Sequence, residues 1–298
     1  MQLRPLIFPA ALGLAILAPV ARAAFPVIPA FQDPPTDIRY PGKLIWADLF
    51  TEKPAICKTF YVNIFGWTAE TLGTGRDAYT LFRKDGKLVA GMIYRPALEG
   101  STTMGTWLPY FSVEDLEGAV ETVQKNGGRV EVTTHSFPAR GEQVIIRDNQ
   151  DALVGLMRTT DGDPDDYLAN YGEWIWAQLR VREPSQSIIF YQATLGFTLM
   201  DGHLGDENIY DHLWAGNGVF RASLDKIPET AAAANPTWFG FIRVENIEDT
   251  VARVPELGGF VFLAPDPEIK DGRLAIIRDP SGAFLVVLEY ELETEDPS

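Results

Sequence analysis

One stretch occurs twice in this chain. Trp46-Ala47-Asp48-Leu49 returns 130 residues later as Trp176-Ala177-Gln178-Leu179, in which only the third residue differs. Further pairs keep this spacing to within one residue: Phe60-Tyr61 with Phe190-Tyr191, Gly66 with Gly196, Val113-Glu114 with Val244-Glu245, Gly127-Gly128 with Gly258-Gly259, and Ile145-Ile146-Arg147-Asp148 with Ile276-Ile277-Arg278-Asp279. A register held over such a distance indicates a duplicated module.

Each copy alternates between the two-residue period of strands and the longer period of helices. In the first copy, Trp46, Asp48 and Phe50 share one face of a predicted strand. Pro54 then suits the first turn of a helix, and Gly66 suits its left-handed C-terminal cap. Three further extended runs follow, after which the same order begins again. The pattern predicts two βαβββ units in each module, and therefore an α+β fold with four such units in the chain.

The N-terminal segment has the pattern of a secretory signal peptide. Arg4 precedes the apolar run Leu6–Val20, and Ala21-Arg22-Ala23 fits a cleavage site. We expect a periplasmic or secreted protein after cleavage near Ala23, with retention as a membrane anchor as the alternative. The predicted parts, in chain order, are a signal peptide at 1–23, an irregular lead-in at 24–41, the first module at 42–160, an acidic linker at 161–171, the second module at 172–290 and an acidic tail at 291–298.

The composition narrows the classes of partner. The net charge is −16 at pH 7, and such a surface repels phosphate backbones, so nucleic acid is not an expected partner. No segment after the signal is long and apolar enough to predict a stable membrane span. The single cysteine, Cys57, has no partner for an internal disulfide and lies in a predicted helix, which favours a buried thiol.

The paired units, the Phe-Tyr helix that ends in glycine and the turn Arg278-Asp279-Pro280-Ser281-Gly282 resemble the vicinal oxygen chelate superfamily. That superfamily includes glyoxalase I, extradiol dioxygenases, and the bleomycin- and fosfomycin-resistance proteins. The resemblance covers about residues 42–159 and 172–290. It implies curled mixed sheets that form cups, with helices on their outer faces, and a pairing of the modules within one chain or across a homodimer.

The resemblance also locates a metal site, which this sequence does not fill. The positions that hold a divalent ion in the family's metalloenzymes align with Trp46, Gly91, Leu108 and Gly155 in the first module, and with Trp176, Ala222, Phe239 and Val286 in the second. None of these side chains is an imidazole, carboxylate or thiolate. The three histidines, His135, His203 and His212, match no metal pattern. We therefore expect no metal and no other cofactor.

Aromatic residues on predicted strands indicate a cup that binds a small organic molecule. The candidate ligand-binding residues are Trp46, Asp48, Phe50, Trp107, Tyr110, Trp176, Gln178, Trp214, Trp238 and Phe239. The one candidate catalytic residue is Asp48, whose place in the second copy is taken by Gln178. Arg140, Arg221 and Arg273 are further candidates for an anionic ligand group.

Three hypotheses follow. The leading one is an exported, metal-independent protein that binds a small organic molecule in its aromatic cup, for sequestration or carriage. The second is a glyoxalase- or dioxygenase-type enzyme, with a displaced metal site involving His203, His212 or Glu289, or with acid–base chemistry through Asp48. The third is a non-enzymatic interaction module.

Overall fold

The computed structural model describes residues 26–96, 105–200, 211–215, 219–229 and 234–291. The predicted signal peptide at 1–23, His203 and the tail from residue 292 lie outside these residues. The side chains of His212 and Trp214 are likewise outside what the structure describes.

The first module contains eight strands and two helices. Its strands are β1 (Leu44–Thr51), β2 (Thr68–Leu72), β3 (Tyr79–Lys84), β4 (Lys87–Tyr94), β5 (Thr106–Ser112), β6 (Arg129–Phe137), β7 (Gly141–Arg147) and β8 (Leu153–Thr159). Its helices are α1 (Pro54–Phe65) and α2 (Leu116–Lys125). His135 lies within β6.

The second module repeats this order. Its strands are β9 (Trp174–Val181), β10 (Thr198–Met200), β11 (Asp211–Ala215), β12 (Val219–Lys226), β13 (Thr237–Val244), β14 (Phe260–Leu263), β15 (Leu274–Arg278) and β16 (Phe284–Glu289). Its helices are α3 (Pro184–Leu195) and α4 (Ile247–Glu256). Pro255 occupies the last turn of α4, which ends one residue later, as its missing N–H predicts.

Each module forms one eight-stranded mixed sheet. The first has the order β2-β3-β4-β1-β5-β8-β7-β6, and the second has the equivalent order β10-β11-β12-β9-β13-β16-β15-β14. Within each unit the first and last strands pair in parallel, and the two units of a module join through antiparallel β1/β5 or β9/β13. The predicted α+β fold with four βαβββ units is confirmed.

The repeated proline and glycine residues delimit equivalent helices. Pro54 and Pro184 lie at the start of α1 and α3, where a missing N–H costs nothing. Gly66 and Gly196 end these helices with φ of 67° and 68°. This left-handed conformation is open to glycine without strain, so the same two residue types set both helix boundaries.

The modules pack through the helical faces of their sheets. Helix α1 shares one apolar cluster with α4, and helix α2 shares a second cluster with α3. Two buried hydrogen bonds cross between the modules: Tyr61 Oη donates to Asp279 Oδ2, and Tyr191 Oη donates to Asp148 Oδ2, both over 3.0 Å. The repeated Phe-Tyr and Arg-Asp motifs therefore contact each other reciprocally across the interface.

In the part of the chain that the structure describes, no helix combines the length and apolarity needed to cross a bilayer. The concave face of each sheet points away from the helices and forms a cup. We call these the first cup (β1–β8) and the second cup (β9–β16).

Candidate functional site

The first cup is filled by a buried cluster of mixed chemistry. Trp46, Tyr79, Leu108, Tyr110 and Met157 pack together on its concave face, each at most 3% exposed. Phe50 packs at its edge. These residues face inward because they alternate along their strands with residues of the helical core.

Asp48 lies at the centre of this cluster and is only 5% exposed. Its Oδ1 accepts a hydrogen bond from Tyr79 Oη over 2.5 Å and another from Trp46 Nε1 over 2.9 Å. The Tyr110 hydroxyl is a further polar neighbour that lowers the pKa of Asp48, and Gln143 Nε2 donates to Tyr110 Oη over 3.5 Å. A buried carboxylate needs such partners, since an unpaired charge in an apolar site is costly.

Arg140 supplies the opposite charge in the same cup. It follows β6, and its side chain turns inward until the residue is 2% exposed. The guanidinium carbon lies 4.4 Å from the ring centre of Trp46, and its charge acts on Asp48. Burial lowers the pKa of Arg140 to about 10, and the Tyr79 and Asp48 charges oppose this shift.

Burial also changes the acidity of the groups around Asp48. It raises the pKa of Asp48 above the ordinary value; the Tyr79 and Trp46 hydrogen bonds and the Arg140 charge oppose the rise without cancelling it. Burial, reinforced by the Asp48 charge, raises the pKa values of Tyr79 and Tyr110 well above 10. Asp48 is therefore a carboxyl group that holds its proton more tightly than an exposed aspartate does, next to hydroxyls that remain protonated.

The lead-in before β1 covers the first cup. Ile28 is buried in the cluster, and the Phe31 ring packs edge-on against Trp46 with 5.4 Å between ring centres. Phe31 also lies 3.9 Å from the Arg140 guanidinium carbon, and Arg140 Nε donates to the carbonyl oxygen of Pro29 over 2.8 Å. The lead-in was predicted only as irregular chain.

The second cup has the same strand register and different chemistry. Gln178 faces Ser223 across β9/β12, as Asp48 faces Gly91 across β1/β4. Trp176 Nε1 donates to Ser223 Oγ over 2.9 Å, and Gln178 Nε2 donates to the same atom over 3.4 Å. The position of the carboxylate is therefore occupied by a neutral amide.

Among the described residues, the rim of the second cup is aromatic and partly exposed to solvent. The Arg180 guanidinium carbon lies 5.5 Å from the ring centre of Phe239. The Arg278 guanidinium carbon lies 4.1 Å from the Phe284 ring and 5.0 Å from the Phe262 ring, and Phe262 is 55% exposed. At the corresponding place of the first cup, Arg147 Nε lies 2.9 Å from Glu131 Oε2, and both side chains are likewise partly exposed.

Two candidate ligand residues do not face a cup. Trp107 and Trp238 lie in the helical core, where their Nε1 atoms donate to the hydroxyls of Tyr61 and Tyr191 over 2.8 and 2.9 Å. The expectation that they line the cups is corrected. A strict two-residue period excludes both, because Trp107 cannot share a face with Tyr110, nor can Trp238 with its neighbour Phe239.

Other candidates are engaged elsewhere. Arg221 makes a bidentate ion pair with Asp166 of the linker, over 2.6 and 2.7 Å. Arg273 pairs with Asp271 at an exposed turn. Glu289 Oε2 accepts from the backbone N–H of Ile247 at the start of α4. Their side chains therefore stabilise local structure.

The family's metal positions do not fit a metal here. Ser223, and not Ala222, occupies the cup-facing position on β12, because Ala222 points into the core; this corrects the alignment by one residue. In the first cup a Cβ on Gly91 would lie 1.9 Å from Tyr79 Oη, and one on Gly155 would lie 2.0 Å from the Tyr110 ring. The tyrosines occupy the space that ligand side chains would need. Among the described residues, no three His, Cys, Asp or Glu side chains converge.

A shallow depression of about 300 Å³ lies outside both cups, between the modules. Its lining includes Lys84, Arg243, Asp249 and Arg253. The buried Arg243 guanidinium is already bound to the carbonyl oxygens of Tyr290 and Ala169, so this depression is a weaker candidate site than the first cup.

Pattern analysis found Trp46, Asp48 and Tyr110 and missed Tyr79 and the covering role of Phe31. Tyr79 begins β3, and its hydroxyl reaches Asp48 across β4 at Gly91, where glycine leaves room. The sequence signal that could have identified Tyr79 was the combination of a glycine on β4, Gly91, with a tyrosine on the neighbouring strand β3.

Comparisons with known proteins agree on the family. The family model of the Glyoxalase/Bleomycin resistance protein/Dioxygenase superfamily matches residues 43–156 and again 175–287. The anthracycline biosynthesis protein DauV of Streptomyces sp. (strain C5) is 30% identical over 261 residues, which cover 84% of this chain and 94% of that protein. The putative glyoxylase CFP32 of Mycobacterium tuberculosis (strain CDC 1551 / Oshkosh) is 27% identical over 248 residues, 82% of this chain and 93% of the relative.

The fold is also that of a solved enzyme. The 2,3-dioxygenase LapB from Pseudomonas sp. KL28 superposes with a TM-score of 0.55 and 15% identity, over 87% of this chain and 94% of that one. The relatives are thus a biosynthesis protein and a putative glyoxylase, on a fold shared with a dioxygenase. The prediction of a non-enzymatic exported carrier is therefore wrong, whereas the predicted resemblance is confirmed. The chain belongs to the Glyoxalase/Bleomycin resistance protein/Dioxygenase superfamily, with one family domain in each of its two modules.

Proposed function

We propose that this protein is a glyoxalase-like enzyme that moves a proton at a carbon next to a carbonyl group, with Asp48 of the first cup as the base. The observation that carries the proposal is the buried Asp48 carboxyl group, bound by Tyr79 Oη over 2.5 Å and by Trp46 Nε1. A base is most effective when its pKa lies near the working pH, and burial raises the pKa of Asp48 in that direction.

The reaction uses only groups of this chain. Asp48 removes the proton from the carbon, and the electron pair of that C–H bond forms the enolate. Once Asp48 carries the proton, the Tyr79 hydroxyl turns from Asp48 to the enolate oxygen and donates a hydrogen bond to it, and the Tyr110 hydroxyl donates to the same oxygen; burial keeps both hydroxyls protonated. Asp48 then returns the proton to the same carbon, and the electron pair of the enolate reforms the carbonyl group. Arg140 favours the ionised form of Asp48 before the transfer.

The second cup supplies the contrast that supports this assignment. Gln178 occupies the register position of Asp48, and an amide does not accept a proton at neutral pH. We therefore assign proton transfer to the first cup alone.

The test is proton exchange in D2O, followed by NMR. Phenylpyruvate, phenylacetone and hydroxyacetone serve as probes, because each has an exchangeable proton beside a carbonyl. We expect exchange above the uncatalysed rate with at least one probe, unchanged by EDTA, and about 10²- to 10⁴-fold slower in Asp48→Asn. The isosteric amide keeps an acceptor for Tyr79.

Gln178→Ala is the matched control, since it alters the same register position in the other module. It should retain exchange within about twofold. Equal exchange rates for Asp48→Asn and the unmodified protein, or no exchange with any probe, would overturn the proposed function.

We propose export as well, on the strength of the apolar run Leu6–Val20 and the Ala21-Arg22-Ala23 pattern. N-terminal sequencing of the protein recovered from the producing cells tests this. A mature N-terminus at Ala24 is the expected result. An N-terminus that still begins at Met1 would contradict it.

A further inference from the structure

Resting on the proposed function, we infer that the substrate of the first cup is an aromatic carboxylate, and that it binds by replacing the lead-in residues Pro29 and Phe31. Arg140 would hold the carboxylate, and the ring would take the place of the Phe31 ring. Three features of the described residues support this.

The first feature is the incomplete hydrogen bonding of Arg140. Its Nε donates to the Pro29 carbonyl oxygen over 2.8 Å, whereas its buried Nη2 has no hydrogen-bond partner among the described residues. Buried polar atoms are almost always paired, so an unpaired guanidinium nitrogen in a 2% exposed residue indicates a missing acceptor. Nε and Nη2 form one edge of the planar guanidinium. A carboxylate binds that edge with both oxygens, one of which would replace the Pro29 carbonyl.

The second feature is the aromatic position above Arg140. The Phe31 ring lies 3.9 Å from the guanidinium carbon and 5.4 Å from the Trp46 ring centre. A planar ring is favoured there by the cation and by the indole edge. A ligand ring attached to the carboxylate would make the same two contacts.

The third feature is the uneven attachment of the lead-in. From residue 32 onward it is tied to the linker: Gln32 Nε2 donates to Asp163 O, Thr36 N donates to Asp161 O, and Arg39 donates to Thr159 O. Residues 26–31 make one hydrogen bond within the described structure, the one from Arg140. This part can leave the cup while the rest remains attached.

The charges suit a monoanion. Asp48 repels a ligand carboxylate placed next to it, so the carboxylate must lie on the far side of Arg140, where Pro29 and Phe31 now lie. The group next to the carboxylate then points toward Asp48. A 2-oxo acid with a ring on its third carbon satisfies both requirements, and phenylpyruvate is the simplest probe of this class.

The test is titration calorimetry of the purified protein with phenylpyruvate, its methyl ester and pyruvate. We expect the ester, which lacks the charge, to bind about 10- to 100-fold more weakly, as the loss of a charge-assisted pair predicts. Pyruvate, which lacks the ring, should also bind more weakly. Arg140→Gln should remove the preference for the acid over the ester.

Phe31→Ala gives a second test that does not depend on the folding of an Arg140 variant. Because it removes the competing ring, it should tighten phenylpyruvate binding by about 10-fold. Phe262→Ala, which removes the ring next to Arg278 in the second cup, is the matched control and should leave the affinity unchanged. Equal affinities for acid and ester, or an unchanged affinity in Phe31→Ala, would overturn the inferred substrate class.

The two proposals fail in different ways. Binding of the acid that depends on Arg140, without proton exchange that depends on Asp48, would refute the proposed function and leave the ligand class standing. If proton exchange depends on Asp48 but shows the same KM for phenylpyruvate and its methyl ester, the proposed function is supported. The inferred ligand class, an aromatic carboxylate, is then refuted.

Discussion

The two cups have the same strand order and register, yet their inward positions carry different chemistry. In the first, Asp48 and Arg140 are buried beneath a lead-in segment. In the second, the neutral Gln178 takes the place of Asp48, and Phe262 at the described part of the rim is 55% exposed. The comparison teaches that the fold itself does not determine whether the titratable groups of a cup are buried. Their burial depends on the residue types at a few inward-facing strand positions and on the segment that covers those positions.

Glycine is the local reason for the difference. Gly91 leaves room for the side chains of Tyr79 and Asp48, and Gly155 leaves room for the Tyr110 ring. The second cup has side chains at the equivalent positions. The two glycines let polar side chains from neighbouring strands meet at the bottom of the first cup. The two modules thus differ in the side chains that face the cup, whereas the pairing of their strands is the same.

The largest expected effect comes from the buried cation. Arg140→Met should lower the free energy of unfolding by about 3 kcal/mol or more, because it leaves the Asp48 carboxylate without an opposite charge. Arg180→Met, at the open rim, should cost about 1 kcal/mol or less, since its pairing with Asp225 at 3.9 Å is weak and partly exposed. Urea unfolding followed by circular dichroism measures both. Similar losses would contradict the proposed difference between the cups.

Replacing the glycine of the first cup should have the next largest effect. Gly91→Ala places a Cβ 1.9 Å from Tyr79 Oη and 2.1 Å from Asp48 Oδ1, so it should cost about 2–3 kcal/mol through forced displacement. Ser223→Ala, at the same register position of the second cup, removes only an acceptor for Trp176 and Gln178 and should cost about 1 kcal/mol. A smaller loss for Gly91→Ala than for Ser223→Ala would refute the close packing around Asp48.

The pH dependence of stability should distinguish the cups next. Since the pKa of folded Asp48 is raised, the folded state holds this proton more tightly than the unfolded state. The stability gained is fully present below the unfolded pKa of about 3.9 and is lost as pH rises through the folded pKa. As pH rises from about 4, the free energy of unfolding of the unmodified protein should therefore fall relative to that of Asp48→Asn.

Gln178→Asn is the control for this titration, because it exchanges one neutral amide for another. Its stability difference from the unmodified protein should be independent of pH over the same range. A flat difference for Asp48→Asn as well would show that the Asp48 pKa is not raised.

The smallest expected effect lies at the open rim. Phe262→Ser should change the free energy of unfolding by about 0.5 kcal/mol or less, because the ring is 55% exposed. It should also improve solubility, since Phe260 and Phe262 are both more than half exposed. A loss above about 2 kcal/mol would mean that the second cup is as closely packed as the first.

Much of the fold could be predicted because its signals are local. The repeat and the strand and helix periods identified four units, and Pro54 and Gly66 marked the ends of a helix that runs over Pro54–Phe65. The candidate site was predictable only in part. Trp46, Asp48 and Tyr110 share a parity along their strands that places them in the cup, whereas choosing Trp107 for its aromatic ring ignored that parity.

The amino-acid pattern alone specified the duplication and the α+β class, because the repeated motifs, the strand and helix periods and the turn residues can be read directly along the chain. Only the tertiary structure decided that Tyr61 bonds Asp279 across the modules and that Phe31 covers Arg140. These contacts join residues separated by about 100 to 220 positions. Their formation depends on how the sheets curl and pack, and no local period carries that information.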